Sequence, residues 1–228
     1  MSLLLYGALF WIFAIISTIL QDRASSGEKK VASVTTLIKM IPELSAVIFV
    51  ILFRPPTLFT ILLTVALVFC IFGDVGMEAD IVLGIGMFLI GHIFFTANFL
   101  WQASIVGLAT VPMTLSILCM SMMVVYVFLL IRSLRSSGPE VPPFILRAGS
   151  LYFLLISATL STSLLLWLVS GTLLGYLPVL GAFIFIVSDS LIGINEFHHK
   201  ISRHEFYIMP TYYLAIFLLS LSVLVYAF

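Results

Sequence analysis

Eight apolar runs follow one another along the chain, each close to the length that crosses a bilayer. A spanning helix needs about 20 residues, at about 1.5 Å of rise per residue. The runs cover residues 3–20, 31–53 and 57–77; a fourth reaches about residue 101 after the acidic turn Glu78-Ala79-Asp80; then come 104–131, 144–170, 172–194 and 206–228. Short polar stretches separate them, chiefly QDRASSGEKK, the SSGP and PP turn signals between 132 and 143, and FHHKISRHE. In lipid a backbone must satisfy its own polar groups, so this pattern predicts an all-α, polytopic bundle of eight transmembrane helices. Composition agrees, with 62% hydrophobic and 9% charged residues, against about 45–50% and about 25% in soluble domains. The 228 residues fit one bundle, a single domain over 1–228, with no sizeable soluble part. No Lys or Arg precedes the first run, so a retained helix is expected rather than a cleaved signal. A formal net charge of zero argues against a nucleic-acid partner. Cys70 and Cys119 lie inside apolar runs and imply neither a disulfide framework nor a metal site.

The basic residues orient the bundle. Lys and Arg near helix ends collect on the cytoplasmic side. With the N-terminus outside, the inner loops hold Arg23, Lys29, Lys30, Arg132, Arg135, Arg147, Lys200 and Arg203, and the outer loops hold only Arg54. Both termini are therefore expected to be non-cytoplasmic. The chain is expected in a cell membrane if prokaryotic and in the endoplasmic reticulum if eukaryotic.

Polar residues inside the runs then mark a site. Asp189 sits in GAFIFIVSDSLIGINEF, flanked by Ser188 and Ser190 and followed at helical distance by Asn195 and Glu196. A carboxylate in hydrocarbon is costly, so its presence is a functional-site hypothesis. Asp74 ends a similar run, ALVFCIFGDVGM. On the predicted topology Lys39 and Glu43 lie roughly 12 and 18 Å from the inner end of the second span. His92, Tyr126 and Tyr152 fall at comparable depth, so six helices are expected to bring polar groups into one slab of the cytoplasmic half. Each group also has a plainer reading. Lys39 and Glu43, spaced i,i+4, can form an intrahelical ion pair. His92 can be a neutral core histidine, and Tyr126 and Tyr152 can be packing. Gly84, Gly86 and Gly91 suit close helix approach, and Glu78 and Asp80 suit a solvated turn.

Asp74 and Asp189 resist such dismissal. Two carboxyls in a low-dielectric site divide their roles, one protonated and one ionised. Such a pair suits acid-catalysed cleavage through an oxocarbenium-like species, an aspartyl protease dyad, or a proton-coupled transporter. Residue types alone do not choose among these. The GxSxG and HExxH patterns are absent, and the usual GxGD protease signature would need a glycine at Ile71. For cooperation, spans 3 and 7 are expected to pack near one another. No cofactor or metal is called for, and the loop histidines His198, His199 and His204 are expected in solvent.

A resemblance narrows the choice. The segments TLIK ending at Lys39, FGD ending at Asp74, GMFLIGH ending at His92 and GAFIFIVSD ending at Asp189 occur in the order and spacing of the YhhN-like membrane family, which includes the lysoplasmalogenases. The chain resembles that family over nearly its whole length, although members often read Lys-Pro where Lys39 is followed by Met40 and Ile41. The resemblance implies hydrolysis of the vinyl-ether bond of a lysoplasmalogen to a fatty aldehyde and a glycerophospho-head group. It implies Asp74 and Asp189 as catalytic residues; Lys39, Glu43, His92, Tyr126, Tyr152 and Asn195, read from their residue types and depth, are expected to bind substrate or tune the pair. The partners implied are a lysophospholipid substrate and membrane lipids. The alternative of another class is a proton-coupled transporter or lipid-binding protein using the same carboxylates.

The charge bias makes a direct prediction. Cysteine labelling near Ser2 and Ala227 should proceed from the non-cytoplasmic side and near Arg132 from the cytoplasm; a cytoplasmic C-terminus would reject the eight-span arrangement.

Overall fold

The structure is a computed structural model that describes residues 2–25, 32–137 and 141–227. Lys29, Lys30 and the centre of the 132–143 loop lie outside the described residues. The elements are α1 (Leu3–Ser25), α2 (Ala32–Phe53), α3 (Leu58–Ala79), α4 (Ile81–Val106), α5 (Thr110–Ser137), α6 (Pro143–Ser170), α7 (Tyr176–Phe197), α8 (Glu205–Ser220) and the short α9 (Ser222–Tyr226). Eight helices among the described residues are long and apolar enough to cross a membrane, and no strand occurs among them.

Local chemistry sets the boundaries. Thr57 caps α3 in a reciprocal capping box with Thr60. Asp80 alone links α3 to α4, and its Oδ1 accepts hydrogen bonds from the Val82 and Leu83 amides at 2.7 and 3.2 Å. The expected acidic turn is thus a helix cap. The fifth helix begins at Thr110 rather than near 104, because Gly107 at φ 118° closes α4. Pro112 then falls in the first turn of α5, where a missing N–H costs nothing. Pro42 and Pro210, by contrast, lie inside continuous helices.

The helices form a ring. Packing runs α1–α2–α3–α4–α6–α7–α8 and back to α1, while α5 stands outside against α6. The exposed Ile117, Met122, Val125 and Phe128 of α5 fit that outer place in lipid. Buried aromatic rings fill the ring's interior. Tyr6, for example, stacks on Phe49 with centroids 4.2 Å apart and shares a 2.6 Å hydrogen bond with Ser220. The expected packing of spans 3 and 7 is not what forms: α3 and α7 share no extensive contact and sit on opposite sides of the ring.

Glycines bring α3 and α4 together. A Cβ on Gly76 would stand 2.9 Å from the Gly84 amide nitrogen, and one on Gly91 would stand 3.2 Å from the Ala66 carbonyl oxygen. Gly73 makes room for the Phe88 ring, which a Cβ would meet at 2.7 Å. Gly86 differs from the expectation, since a Cβ there meets nothing within 4 Å; it points away from the α3 seam that Gly84 and Gly91 serve. Gly76→Val should therefore destabilise the folded protein by roughly 1–3 kcal/mol through overpacking against backbone, while Gly86→Ala should be neutral or slightly stabilising. Thermal melts of the purified variants would check this pair.

Candidate active site

The end of the ring that carries the α1–α2, α3–α4 and α7–α8 connections holds a cavity of about 300 Å³. Lys39 from α2, Asp74 from α3, Phe88 from α4, Asp189 and Asn195 from α7, and Tyr212 from α8 all line it. The two aspartates predicted from sequence thus face one space from opposite walls. Both are buried, 5% and 7% exposed.

Their surroundings differ. Lys39 Nζ lies 3.4 Å from Asp74 Oδ1 and 3.4 Å from Glu78 Oε1. The intrahelical Lys39–Glu43 pair allowed by the sequence is therefore replaced by bridges between helices. Glu78, expected in a solvated turn, is exposed as expected but lies in the last turn of α3, and Gln21 Nε2 donates to it at 3.3 Å. Its i,i+4 spacing from Asp74 was the available signal, since both then face one side of the helix. Asp189 has no cation within bridging distance among the described residues; the Tyr152 hydroxyl donates to its Oδ2. Ion pairing thus marks Asp74 and hydroxyl contact marks Asp189.

Glu43 is fully buried beside Asp74 and Tyr212. Neither Glu43 oxygen, nor Asp74 Oδ2, nor the Tyr212 hydroxyl makes a hydrogen bond among the described residues. Tyr212 escaped the sequence reading because one tyrosine in an apolar span looks like packing. Its burial against two carboxyls becomes visible only when α8 closes the ring.

The remaining predicted residues stand further back. His92 shares a 3.1 Å hydrogen bond between Nδ1 and the Thr159 hydroxyl, and packs edge-on against Phe185 and Tyr152 with centroids 4.6 and 5.9 Å away. It supports Tyr152 and does not line the cavity. Tyr126 bonds Ser190 at 2.6 Å on the outer side of α7 and also lies outside the cavity. Asn195 lines the cavity, but its polar atoms hold the α7–α8 connection: Oδ1 accepts from the Ile201 amide at 2.9 Å and Nδ2 donates to Glu196 at 2.8 Å. The single slab expected from six helices therefore resolves into a cavity wall and a supporting layer behind it. No cluster of three His, Cys, Asp or Glu side chains able to hold a metal occurs among the described residues. His204 lies at the cavity, 3.3 Å from Glu205, rather than free in a solvated loop.

A second, apolar cleft meets the cavity. Met77, Ile81, Phe88, Asp189 and Ile192 belong to both spaces. The arrangement sets one carboxyl, Asp189, at the seam between a polar chamber and an apolar one, with Asp74 across the polar chamber, which suits proton transfer to an amphipathic molecule.

Comparison with known proteins adds one finding. A model described as the YhhN family matches residues 34–223, a stretch that includes every residue named at the cavity wall. Neither the search of curated proteins nor that of solved structures found a match.

The charge arrangement yields a stability prediction. Lys39→Met leaves Asp74 and Glu78 without their shared cation and should cost roughly 3–5 kcal/mol, the range for breaking a buried pair. Asp74→Asn should cost less, because Lys39 keeps Glu78. Equal melting temperatures for Lys39→Met and wild type would contradict this account of the cluster.

Proposed function

The chain belongs to the YhhN family, and from that premise we propose that it is a membrane hydrolase cleaving the vinyl-ether bond of a lysoplasmalogen. The observation that carries this reading is the meeting of Asp74 and Asp189 across one cavity, one paired with a cation and one not.

A vinyl ether breaks when an acid protonates its β-carbon. The resulting oxocarbenium ion captures water, loses a proton and becomes a hemiacetal, which collapses to a fatty aldehyde and the glycerophospho alcohol. Asp189, which has no cationic neighbour within bridging distance, is the proton donor in this scheme. Tyr152 ties one of its oxygens, leaving the other to transfer the proton. Asp74, held beside Lys39, is the carboxylate that stabilises the cation and receives the proton released by water. On collapse Asp189 takes the hemiacetal hydroxyl proton while Asp74 gives its proton to the departing alcohol oxygen, so one water is consumed and both carboxyls return to their starting states. Lys39 also provides the positive charge at the cavity that suits a phosphate. The charge bias of the loops supports a cavity mouth on the cytoplasmic face. Alternating transport calls for discontinuous helices near the midplane, whereas α2 and α8 stay helical through their prolines.

The test is incubation of the purified protein with a lysoplasmalogen and assay of released aldehyde. Asp74→Asn and Asp189→Asn should each fold and lose about 10²–10⁴ in rate. The double variant should lose little more than either single one, as residues acting as a unit do. Near-normal turnover in either folded variant would remove that residue from the mechanism.

A further inference from the structure

The apolar cleft runs outward from Asp189 between α4 and the α6–α7 pair, with Ile131 and Leu134 of α5 on its outer side. Apart from Tyr152 and Asp189 its lining is apolar, and its volume is about 60 Å³. The outer helix α5 packs on α6 and touches α7 but has no extensive contact with α4, so helix packing does not close the α4–α5 side of the cleft.

Two lining glycines distinguish it. A Cβ at Gly149 would meet nothing within 4 Å, and one at Gly193 would meet only Leu134 Cδ1, at 3.8 Å. Neither glycine serves a helix seam as Gly76 and Gly91 do. Neither has positive φ, so the backbone does not require them. Each nonetheless carries the cost of glycine within a helix, about 1 kcal/mol relative to alanine. What their missing side chains leave is space in the cleft. Gly149 lies three residues before Tyr152 and Gly193 four after Asp189, so both share helix faces with the acid machinery.

We propose that this cleft binds the first methylenes of the single hydrocarbon chain of the lipid substrate, beside the reacting bond, with Gly149 and Gly193 setting the girth it accepts. The inference rests on the reading of the site as one for a lysolipid. The polar cavity and the cleft share Asp189, so a head group in one and a chain in the other place the bond between them at the carboxyl. At about 60 Å³ the cleft has room for one chain only, the remainder of which runs on beyond it.

Binding tests this separately from hydrolysis. Hexadecyl glycerophosphocholine, a saturated ether without the vinyl bond, is titrated onto the full-length protein in nanodiscs by displacement of a fluorescent lysolipid. Gly149→Leu and Gly193→Leu should each weaken its binding roughly tenfold or more, as methylene-sized obstructions do in apolar pockets; Gly86→Leu, outside the cleft, should leave it unchanged. Leu134→Ala opens the space beside Gly193 and should gain binding of a branched phytanyl ether, a gain that misfolding cannot produce. Unchanged hexadecyl affinity in leucine variants that melt like wild type, or no gain in Leu134→Ala, overturns the assignment. Loss of binding in the leucine variants, with wild type releasing no aldehyde from a lysoplasmalogen, upholds the cleft and rejects the vinyl-ether reading.

Discussion

A charged group inside a membrane bundle must find its counter-charge on another helix, and Lys39 shows how much follows from that. Its ammonium bridges to Asp74 and Glu78 on α3. Its carbonyl accepts a 3.2 Å hydrogen bond from Tyr213 on α8, whose hydroxyl also contacts Ser17 on α1 at 2.8 Å. Gln21 on α1 reaches the same Glu78. One residue thus joins four helices at one end of the ring, where neither hydrocarbon nor an unpaired partner would tolerate the charge. Because Asp74 belongs to this knot, the carboxyl is both structural and available to the cavity.

The opposite wall is held by different forces. Asp189 is fixed through Tyr152, and Tyr152 rests against His92 and Phe88 at ring distances of 5.9 and 6.5 Å. Phe88 reaches that place because Gly73 offers no side chain against it, and because the one-residue link at Asp80 sets the register of α3 and α4. Close helix approach contributes van der Waals contact, the main attraction left when lipid is as apolar as the core. The seam of glycines therefore determines how wide the cavity is between Asp74 and Asp189. A small change of register there would move Phe88, a wall of both chambers.

Polar and apolar spaces meeting at a carboxyl follow from the ring's composition. The polar cavity collects residues from α2, α3, α4, α7 and α8, and the cleft collects them from α3, α4, α5, α6 and α7. The helices α3, α4 and α7 take part in both. Asp189 stands on α7 with Ile192, so one buried carboxyl borders both spaces.

The sequence alone determined that the chain is helical and membrane-spanning, because eight apolar runs can satisfy their backbones only as helices in lipid. It also singled out Asp74, Asp189 and Lys39, since charge within hydrocarbon is conspicuous wherever the run falls. Asn195 and Tyr126 show the limit of that signal, for polar atoms at the right depth turned out to be holding a loop and a neighbouring serine. Tertiary structure decided who faces whom. It paired Lys39 across helices, drew Glu78 and Tyr212 into the site, and set α3 and α7 on opposite sides of a ring. Those outcomes depend on the rotation of each helix about its axis and on the order of helices around the ring. Both are fixed by contacts such as Gly76 on Gly84 and Gly181 on Ala215, between residues that the one-dimensional pattern leaves unconnected.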